Sequence, residues 1–249
     1  MSFSEDEIER YARHLVLSEV GGPGQQRLKA ARVGLIGLGG VGAPAALYLA
    51  AAGVGTLRLI DDDAVSLSNL QRQIVFDTAD VGRAKVIAGS ETLAALNPHV
   101  GLEPRPERLT AANAAALIEG CDVVIDGTDD FGARFAVNAA CLACRIPLVS
   151  GALGRWSGQV GVFHRGPCYR CLVPETPPDA DTCSRVGVVG ALAGVVGAMA
   201  ALEAIKLIAG AGEPLSGRLL IYDGLAGTAR TVRVAPDPDC PDCGGQAKA

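Results

Sequence analysis

Short apolar segments alternate with longer amphipathic ones through the first 150 residues. The pattern predicts strands at 32–36, 56–60, 122–126 and 147–150, with helices between them at about 40–52, which is rich in Ala, and at 81–96 and 131–144. A strand followed by a helix and a second strand forms a βαβ unit, and successive units of this kind build a parallel sheet. We therefore predict an α/β fold with a mainly parallel sheet.

The pattern changes after Gly151. Strands are predicted at 159–163, 218–222 and 228–234, and a stretch rich in Cys and Pro occupies 167–181. No convincing linker interrupts the chain. We therefore predict one domain over residues 1–249, with a nucleotide-fold half at 1–150 and a modified half at 151–249 that adds mixed or antiparallel strands.

At the other end of the chain, Ser4 and Glu7 have the spacing of a capping box, which predicts a first helix that runs to about Leu17.

One segment approaches a membrane-spanning helix in its length and apolar composition. Residues 186–202 contain no charge, and their number is at the lower limit for a transmembrane helix. Glu203 and Lys206 follow directly, and the segment is dense in glycine, as in helices that pack closely against other backbone. We predict a buried core or subunit-interface helix and no membrane span.

Composition narrows the class of protein further. The net charge is -5, from 22 Lys and Arg against 27 Asp and Glu, which argues against a nucleic-acid binder. The N-terminus is acidic and lacks an apolar segment, so we expect no secretory signal and a cytoplasmic protein. In a reducing compartment, the eight cysteines indicate metal binding or catalysis rather than a disulfide framework.

A glycine-rich turn lies between the first predicted strand and its helix. Gly37, Gly39, Gly40 and Gly42 would let backbone N–H groups approach a phosphate at the helix N-terminus. Asp61 ends the next strand, 19 residues after Gly42, where a carboxylate can accept hydrogen bonds from ribose hydroxyls. Together these features predict a Rossmann-like adenine-nucleotide site. NAD is the default ligand for such a turn, and a tight turn without ligand is the alternative.

A polar loop follows the second strand and carries candidate phosphate ligands. Asn69 and Arg72 in this loop, with Lys85 in the next helix, could supply donors and positive charge to a triphosphate. Asp129 follows a parallel strand, where a carboxylate could hold Mg²⁺ against the phosphates. The remaining candidates for nucleotide binding are neighbours of these residues: Asp63, Ser68 and Asp130. Without the glycine turn, a solvated charged loop would be the better interpretation.

Two cysteine pairs have the spacing and the Pro/Gly context of zinc knuckles. Such knuckles form a closed four-thiolate Zn²⁺ site, and here the metal would join the C-terminal tail to the body of the domain. The predicted zinc ligands are Cys168, Cys171, Cys240 and Cys243. A third pair, Cys141 and Cys144, lies inside a predicted helix and is more typical of small buried apolar groups.

Cys183 differs from the other cysteines because it lies in a polar stretch just before a helix, next to Arg185. A helix N-terminus and a nearby cation lower the pKa of a thiol, so Cys183 is a candidate reactive thiolate. An exposed, unreactive cysteine fits the sequence equally well.

These motifs together resemble those of the ThiF/MoeB/HesA family, bacterial relatives of the ubiquitin-activating enzymes. The resemblance covers nearly the whole chain, and its most specific parts are the Asn-Leu-Gln-Arg-Gln run and the paired knuckles. The motifs that carry it are Arg10-Tyr11-Ala12-Arg13, Gly37 to Gly42, Ala51 to Gly55, Leu67 to Gln73, Lys85, Asp126 to Asp129, Cys168 to Cys171 and Cys240 to Gly245.

The resemblance implies an ATP- and Mg²⁺-dependent adenylyltransferase. Its partner would be a small ubiquitin-like sulfur carrier that ends in Gly-Gly, whose terminal carboxylate attacks the α-phosphate to give an acyl-adenylate and pyrophosphate. A separate sulfur donor would then convert the adenylate into a thiocarboxylate, since this chain shows no rhodanese extension. By the same resemblance, residues 151–249 would form the carrier-binding, zinc-stapled half.

The resemblance also implies roles for single residues. Arg13 would act in trans, as a finger from the second subunit of a homodimer, and Cys183 aligns with a cysteine that in ThiF-type members can link to the carrier. The implied nucleotide ligands are Asp61 for the ribose, Asn69, Arg72 and Lys85 for the phosphates, and Asp129 for Mg²⁺. One departure is Asp130, where the family usually has Asn.

Two other classes of function remain open from the sequence. One is an NAD-dependent oxidoreductase, which would explain the glycine turn and Asp61 but not the basic loop. The other is a zinc-stapled binding module without catalysis. Within the adenylyltransferase hypothesis, both the molybdopterin and the thiamine thiazole pathways remain open.

Overall fold

The computed structural model describes residues 2–177 and 187–244. Within them, the strands form a sheet in the order β3-β2-β1-β4-β5-β6-β7-β8. Neighbours among β1 to β5 are parallel, and β6, β7 and β8 are added as antiparallel strands. The strands are β1 Arg32–Ile36, β2 Thr56–Ile60, β3 Gly101–Arg105, β4 Val123–Asp126, β5 Leu148–Gly154, β6 Ser157–Phe163, β7 Arg218–Asp223 and β8 Thr228–Arg233.

Helices cover both faces of the sheet in the described part of the chain. One layer, which includes α3, α4, α5 and α9, packs with the inner residues of β1 and β2, and a second layer of α6, α7 and α8 packs on the opposite face. The helices are α1 Glu5–Arg10, α2 Ala12–Leu15, α3 Gly21–Ala30, α4 Gly42–Ala51, α5 Lys85–Leu96, α6 Ala114–Ile118, α7 Phe131–Cys144, α8 Tyr169–Leu172 and α9 Gly190–Ala209. The predicted fold class is confirmed.

The parallel strands explain why the sequence is continuously apolar in these segments. A parallel sheet is covered on both faces, so its strands bury every side chain rather than alternate ones. All four residues of β4 are buried, as are four of the five residues of β1. The core is therefore formed mainly by this half of the sheet.

The strand order reverses at β1, which lies between β2 and β4. In the register of the sheet, Ile36 is paired with both Ile60 and Asp126, so the three strands end at the same level. Ligands of open α/β sheets bind at such a switch point, beyond the carboxyl ends of the strands. The chain therefore brings Gly37, Asp61 and Gly127 to one edge of the sheet.

β5 continues beyond the predicted end at residue 150. Gly151 to Gly154 pair with Ser157 to Val160 of β6 through a tight hairpin, which extends the sheet from its parallel into its antiparallel half. The predicted strand was too short because this extension is rich in glycine, which sequence patterns associate with turns.

Glycine-rich α9 packs against α4, β5 and β6. A Cβ atom at Gly197 would lie 2.4 Å from Pro44 Cγ and 2.5 Å from the Val41 carbonyl oxygen, so this contact requires glycine. By length and composition α9 could cross a membrane, and 44% of its most apolar window is buried inside the structure. Buried Glu203 accepts a hydrogen bond from the Leu215 N–H at 2.8 Å. Close helix packing therefore accounts for Gly197.

Two predicted helix boundaries were wrong. The capping box of Ser4 and Glu7 is present, but the first helix ends at Arg10 because Tyr11 turns inward, and its hydroxyl accepts a hydrogen bond from Asn97 Nδ2 at 2.9 Å. The helix predicted from residue 81 begins at Lys85, because the preceding backbone pairs with residues 63–65. This pairing directs Lys85 toward the edge of the sheet.

Candidate functional site

A cavity of about 770 Å³ opens at the carboxyl ends of β1, β2, β4 and β5. Its walls come from both halves of the chain, including the glycine turn, the loop after β2 and the start of α7. The sequence-predicted residues among those that line it are Gly37, Gly39, Gly40, Asp61, Asp63, Asn69, Arg72, Lys85, Asp129 and Asp130.

The glycine turn combines tight packing with an open backbone. Gly37 has φ +81°, a left-handed conformation that favours glycine, and a Cβ at Gly42 would lie 1.9 Å from the Gly37 carbonyl oxygen. At Gly39 the nearest atoms would be 3.8 Å away, so a Cβ there would make only ordinary contacts. Gly42 therefore lets α4 begin close to β1, whereas Gly39 leaves room at the cavity for a ligand.

Two acidic residues after β2 hold the turn and the buried lysine. Asp61 accepts hydrogen bonds from the Leu38 N–H at 2.7 Å and the Asp63 N–H at 2.9 Å. The Lys85 ammonium lies 2.6 Å from Asp63 and 3.8 Å from Asp61. Burial raises the pKa of Asp61, and Lys85 opposes that shift. Asp61 is thus a brace for the glycine turn, with its remaining lone pairs on the cavity side.

The basic loop supplies further polar groups. Arg72 donates from Nη1 to the Ser68 carbonyl oxygen at 3.0 Å, and Asn69 Oδ1 accepts from the Ser66 N–H at 3.1 Å. Asn69 and Arg72 line the cavity. The Ser68 hydroxyl lies 2.9 Å from the Ser66 hydroxyl. Ser68 is not among the residues that line the cavity. Its carbonyl oxygen instead orients Arg72, which does line it.

Asp129 and Asp130, at the start of α7, have different roles. Asp130 is the N-cap of α7, and its Oδ1 accepts from the Ala133 N–H at 2.7 Å. Asp129 is exposed and lines the cavity. Carboxylate oxygens are preferred ligands of Mg²⁺, so Asp129 suits a metal bound with the phosphates.

The structure adds a site residue that the sequence did not indicate. Arg134 is buried beneath the loop that carries Asp129, and it donates to the Gly151 carbonyl oxygen at 3.0 Å and to the Thr128 carbonyl oxygen. Asp126 lies 3.7 Å away and accepts from the Thr128 hydroxyl at 2.7 Å. Burial disfavours the charged form of Arg134, yet nearby Asp126 helps to raise its pKa above the usual value. This network fixes the loop between β4 and α7.

Gln73 is a second residue to which the sequence gave no role. Its side chain is 4% exposed and lines the cavity beside the glycine turn. Among the described residues, its Oε1 is buried with no hydrogen-bond partner. A buried acceptor of this kind is satisfied most simply by a donor on the ligand. The signal in the sequence was its place in the Asn-Leu-Gln-Arg-Gln run.

The four knuckle cysteines come together as predicted. Their Sγ atoms lie within 4.8 Å of one another, with separations of 3.5 Å for Cys168–Cys240, 4.0 Å for Cys168–Cys171 and 3.4 Å for Cys171–Cys243. A tetrahedral Zn²⁺ with Zn–S bonds of about 2.3 Å requires S–S separations of about 3.8 Å. The geometry and the all-thiol donor set therefore fit zinc.

The other described cysteines lie apart from this cluster. Cys121 and Cys141 are buried in the apolar core around α7, and burial raises the pKa of Cys121 to about 11. A thiol with such a pKa is protonated at neutral pH and behaves as a small apolar group. Cys144 is exposed near the end of α7.

Arg13 and Cys183 are the two remaining residues with a predicted catalytic role. Arg13 is exposed on α2, away from the lining residues, so a role at the phosphates would need a second subunit. Cys183 lies outside the described residues. The sequence thus predicted most of the polar residues that line this part of the cavity, but not buried Arg134 or Gln73.

The chain is similar to a known protein family, to known sequences and to a solved structure. The model of the ThiF family matches residues 11–242. The Sulfur carrier protein adenylyltransferase of Thermus thermophilus is 44% identical over 255 residues, which cover 99% of this chain and 94% of the relative. The Molybdopterin-synthase adenylyltransferase of Escherichia coli is 44% identical over 244 residues, 97% of this chain and 98% of the relative. The crystal structure of PaaA superposes with a TM-score of 0.81 at 27% identity, over 93% of this chain and 75% of that one.

Proposed function

This chain belongs to the ThiF family and is an adenylyltransferase, and we propose that it adenylylates the C-terminal carboxylate of a small ubiquitin-like sulfur carrier ending in Gly-Gly. The observation that carries the proposal is the convergence, at one sheet edge, of an open glycine turn, two cations and a carboxylate suited to Mg²⁺. The cations are Arg72 and Lys85, and the carboxylate is Asp129.

In the proposed reaction, an oxygen of the carrier carboxylate attacks the α-phosphorus of ATP. A new bond forms between that oxygen and phosphorus, and the bond from the α-phosphorus to the bridging oxygen breaks. Pyrophosphate leaves with the electron pair, which increases the negative charge on its oxygens. Bound Mg²⁺ would lower the cost of this charge, since it neutralises phosphate oxygens.

The protein's own residues supply position and charge. Lys85 has a 5% exposed side chain, so its ammonium is held in a poorly hydrated place where it attracts phosphate strongly. Its partner Asp63 has a side chain that is 67% exposed, so water can solvate that carboxylate when a phosphate takes its place. We assign Lys85, Asn69 and Arg72 to the phosphates and Asp61 to the ribose.

We assign the opposite wall of the cavity to the end of the carrier. This wall consists largely of small residues of β5, among them Gly151 and Ala152, with Gln159 of β6 beside them. A Cβ at Gly151 would lie 2.8 Å from Val41 Cγ1, so the wall lies close to the glycine turn. A narrow wall of this kind suits a chain end without side chains. The continuous sheet that joins both halves supports treating residues 1–249 as one domain.

Further parts of the proposal concern partners. We propose a homodimer in which Arg13 completes the phosphate site of the partner subunit, and a separate sulfur donor that converts the adenylate into a thiocarboxylate. The names of the relatives support a sulfur carrier, and one of them names molybdopterin synthase; the proposal leaves the molybdopterin and the thiamine thiazole pathways both open. The reduced-thiol zinc cluster supports a cytoplasmic enzyme, and Cys183 is kept as a candidate thiol for transfer.

The test is carrier-dependent exchange of radioactive pyrophosphate into ATP. Asp129→Asn removes the proposed metal carboxylate without changing the size of the side chain, and we expect exchange to fall by about 100-fold or more. Asp130→Asn is the matched control, because Asn is an equally good N-cap for α7 and exchange should remain near the unmodified rate. Near-normal exchange in Asp129→Asn would refute the metal role. Failure of the unmodified protein with carriers from both pathways would refute the function.

A further inference from the structure

One buried amide touches both zinc knuckles. Asn138 of α7 is 1% exposed, and its Oδ1 accepts a hydrogen bond from the Tyr169 N–H at 2.9 Å. Its Nδ2 donates to Asp242 Oδ2 at 2.7 Å. Tyr169 lies between Cys168 and Cys171 in the chain, and Asp242 lies between the two cysteines of the other knuckle. These two hydrogen bonds therefore form together only when both knuckles are in place.

Asn138 is also joined to the cavity through its own helix. Residues four apart lie on the same face of a helix, and Arg134 is four residues before Asn138. Arg134 holds the Thr128 and Gly151 carbonyl groups and so fixes the loop that carries Asp129. One face of α7 thus contacts the knuckles at one point and the nucleotide edge at another.

A second contact joins the same two places. The ring of Tyr169 lines the cavity, and the guanidinium carbon of Arg134 lies 5.8 Å from the ring centroid. Tyr169 therefore binds Asn138 through its backbone and packs against Arg134 through its ring. Asp242 is further held by Arg170, whose Nη1 lies 3.5 Å from Asp242 Oδ1 and whose guanidinium lies over the Phe135 ring at 4.5 Å.

We propose that Asn138 is a positioning residue that couples metal binding at the four-cysteine cluster to nucleotide binding in the cavity. The proposal rests on the proposed function for the identity of the nucleotide. With a metal bound, the thiolates hold Tyr169 and Asp242 at the spacing of the Asn138 amide. The amide then fixes α7, and α7 fixes Arg134 and the loop of Asp129.

Coupling of this kind is reciprocal. If metal binding favours the arrangement that binds nucleotide, then bound nucleotide must hold the metal more tightly by the same factor. A metal that only joins the tail to the body would stabilise the free and the nucleotide-bound protein equally, so nucleotide would leave metal binding unchanged. The two roles therefore differ in a measurable quantity that does not depend on turnover.

The test uses the purified zinc-loaded protein and measures zinc release to an excess of a zinc-selective chelator. We expect a non-hydrolysable ATP analogue with Mg²⁺ to slow release by a factor on the order of 5 or more. Calorimetry on the same samples measures binding of the analogue. Asn138→Asp should abolish the slowing, because the new carboxylate still accepts from the Tyr169 N–H but faces the Asp242 carboxylate.

The chain offers a rescue, a second test variant and a control. In the double variant Asn138→Asp with Asp242→Asn, donor and acceptor are exchanged, so the hydrogen bond reforms and the slowing should return. Asp242→Ala removes the acceptor without altering the buried helix, and it should lose most of the slowing even if Asn138→Asp folds poorly. Asn113→Asp is the same chemical change at the half-buried N-cap of α6, and the slowing should persist.

The outcomes separate this proposal from the function on which it rests. If the analogue binds but the unmodified protein releases zinc at the same rate with and without it, the coupling is wrong and the function stands. Undiminished slowing in both Asn138→Asp and Asp242→Ala would also overturn the coupling. If calorimetry detects no binding of the analogue to the unmodified protein, the proposed function fails and the coupling fails with it.

Discussion

The two halves of the molecule are held in place by different means. Strand β4 in the parallel half has all four residues buried, whereas β8 at the antiparallel edge has five of its six residues exposed. The parallel half positions its polar residues by strand ends that share one register and an apolar core on both faces. The described part of the tail beyond β8 instead reaches the body through the cysteine cluster and the contacts of Asp242.

This difference predicts how substitutions act. At the edge of the parallel half, a polar residue can be changed with little effect on the fold, because the core beneath it is independent of that side chain. In the second half, a change at the cysteine cluster affects stability first, and it affects the cavity through α7 and Tyr169. Functional and structural losses should therefore separate between the halves.

The largest effect is expected for Arg13, which lies in the first half but outside its cavity. Arg13→Ala should reduce exchange in a homodimer by roughly 1,000-fold, as is typical for loss of an arginine finger, and Asp129→Asn should reduce it by about 100-fold or more. A mixture of the two variants should recover about a quarter of the unmodified rate, because half of the random dimers contain one complete site. If both variants are folded and form mixed dimers but the mixture recovers no pyrophosphate exchange, Arg13 does not act across an interface.

The next largest effect is on stability, at the cysteine cluster. Cys240→Ser should remove bound zinc and lower the melting temperature by on the order of 10 °C, because it breaks the metal link between tail and body. Cys144→Ser is the control, since this cysteine is exposed and lies apart from the cluster. Zinc is measured by metal analysis and melting by circular dichroism. Unchanged zinc in Cys240→Ser would contradict the assignment of the ligands.

Two substitutions in the glycine turn allow a loss of stability and a loss of nucleotide binding to be compared within the first half of the chain. Gly42→Ala places a Cβ 1.9 Å from the Gly37 carbonyl oxygen and should destabilise the fold by about 1–3 kcal/mol. Gly39→Ala has ordinary contacts at 3.8 Å, so the fold should keep its stability while affinity for nucleotide falls about 10-fold. Denaturant unfolding and calorimetry measure the two quantities. Equal free energies of unfolding for the two variants would contradict the assignment of Gly42 to stability and Gly39 to nucleotide binding.

The smallest expected effect is a pH dependence of nucleotide binding. Because burial raises the pKa of Asp61, its ionisation costs stability, and this carboxyl contributes stability that is present at low pH and lost as pH rises through the raised pKa. Ribose hydroxyl donors favour the ionised form, so affinity should fall as pH decreases through the same range. Asp61→Ala should bind more weakly and with a flatter pH profile. An unchanged profile would assign the dependence to another group.

The sequence predicted the parallel half well for a physical reason. The bounds of β1, β2 and α7 agree with the predicted ones, because an apolar run between turn residues is a local signal. Gly37, Asp61 and Gly127 follow directly after such strands, so their convergence at one edge follows from a parallel sheet. The bend at Tyr11 was missed because it depends on a contact with Asn97, which is distant in sequence.

The supports of the site could not be predicted in the same way. Asn138 and Asp242 are 104 positions apart, and their hydrogen bond depends on where the metal cluster places the tail. In the sequence, Arg134 is a single charged residue in a mainly apolar helix, and only the fold shows that it holds the loop of Asp129. Roles of this kind arise from tertiary register rather than from a local pattern.

The most direct test of the central claim is the transfer of an oxygen atom. A candidate carrier with ¹⁸O in its C-terminal carboxylate is incubated with the protein, ATP and Mg²⁺, and the adenylate is discharged with a sulfur nucleophile. If the carboxylate attacks the α-phosphorus, mass spectrometry will find one ¹⁸O in the released AMP. AMP without the label, or ADP in its place, would contradict the account.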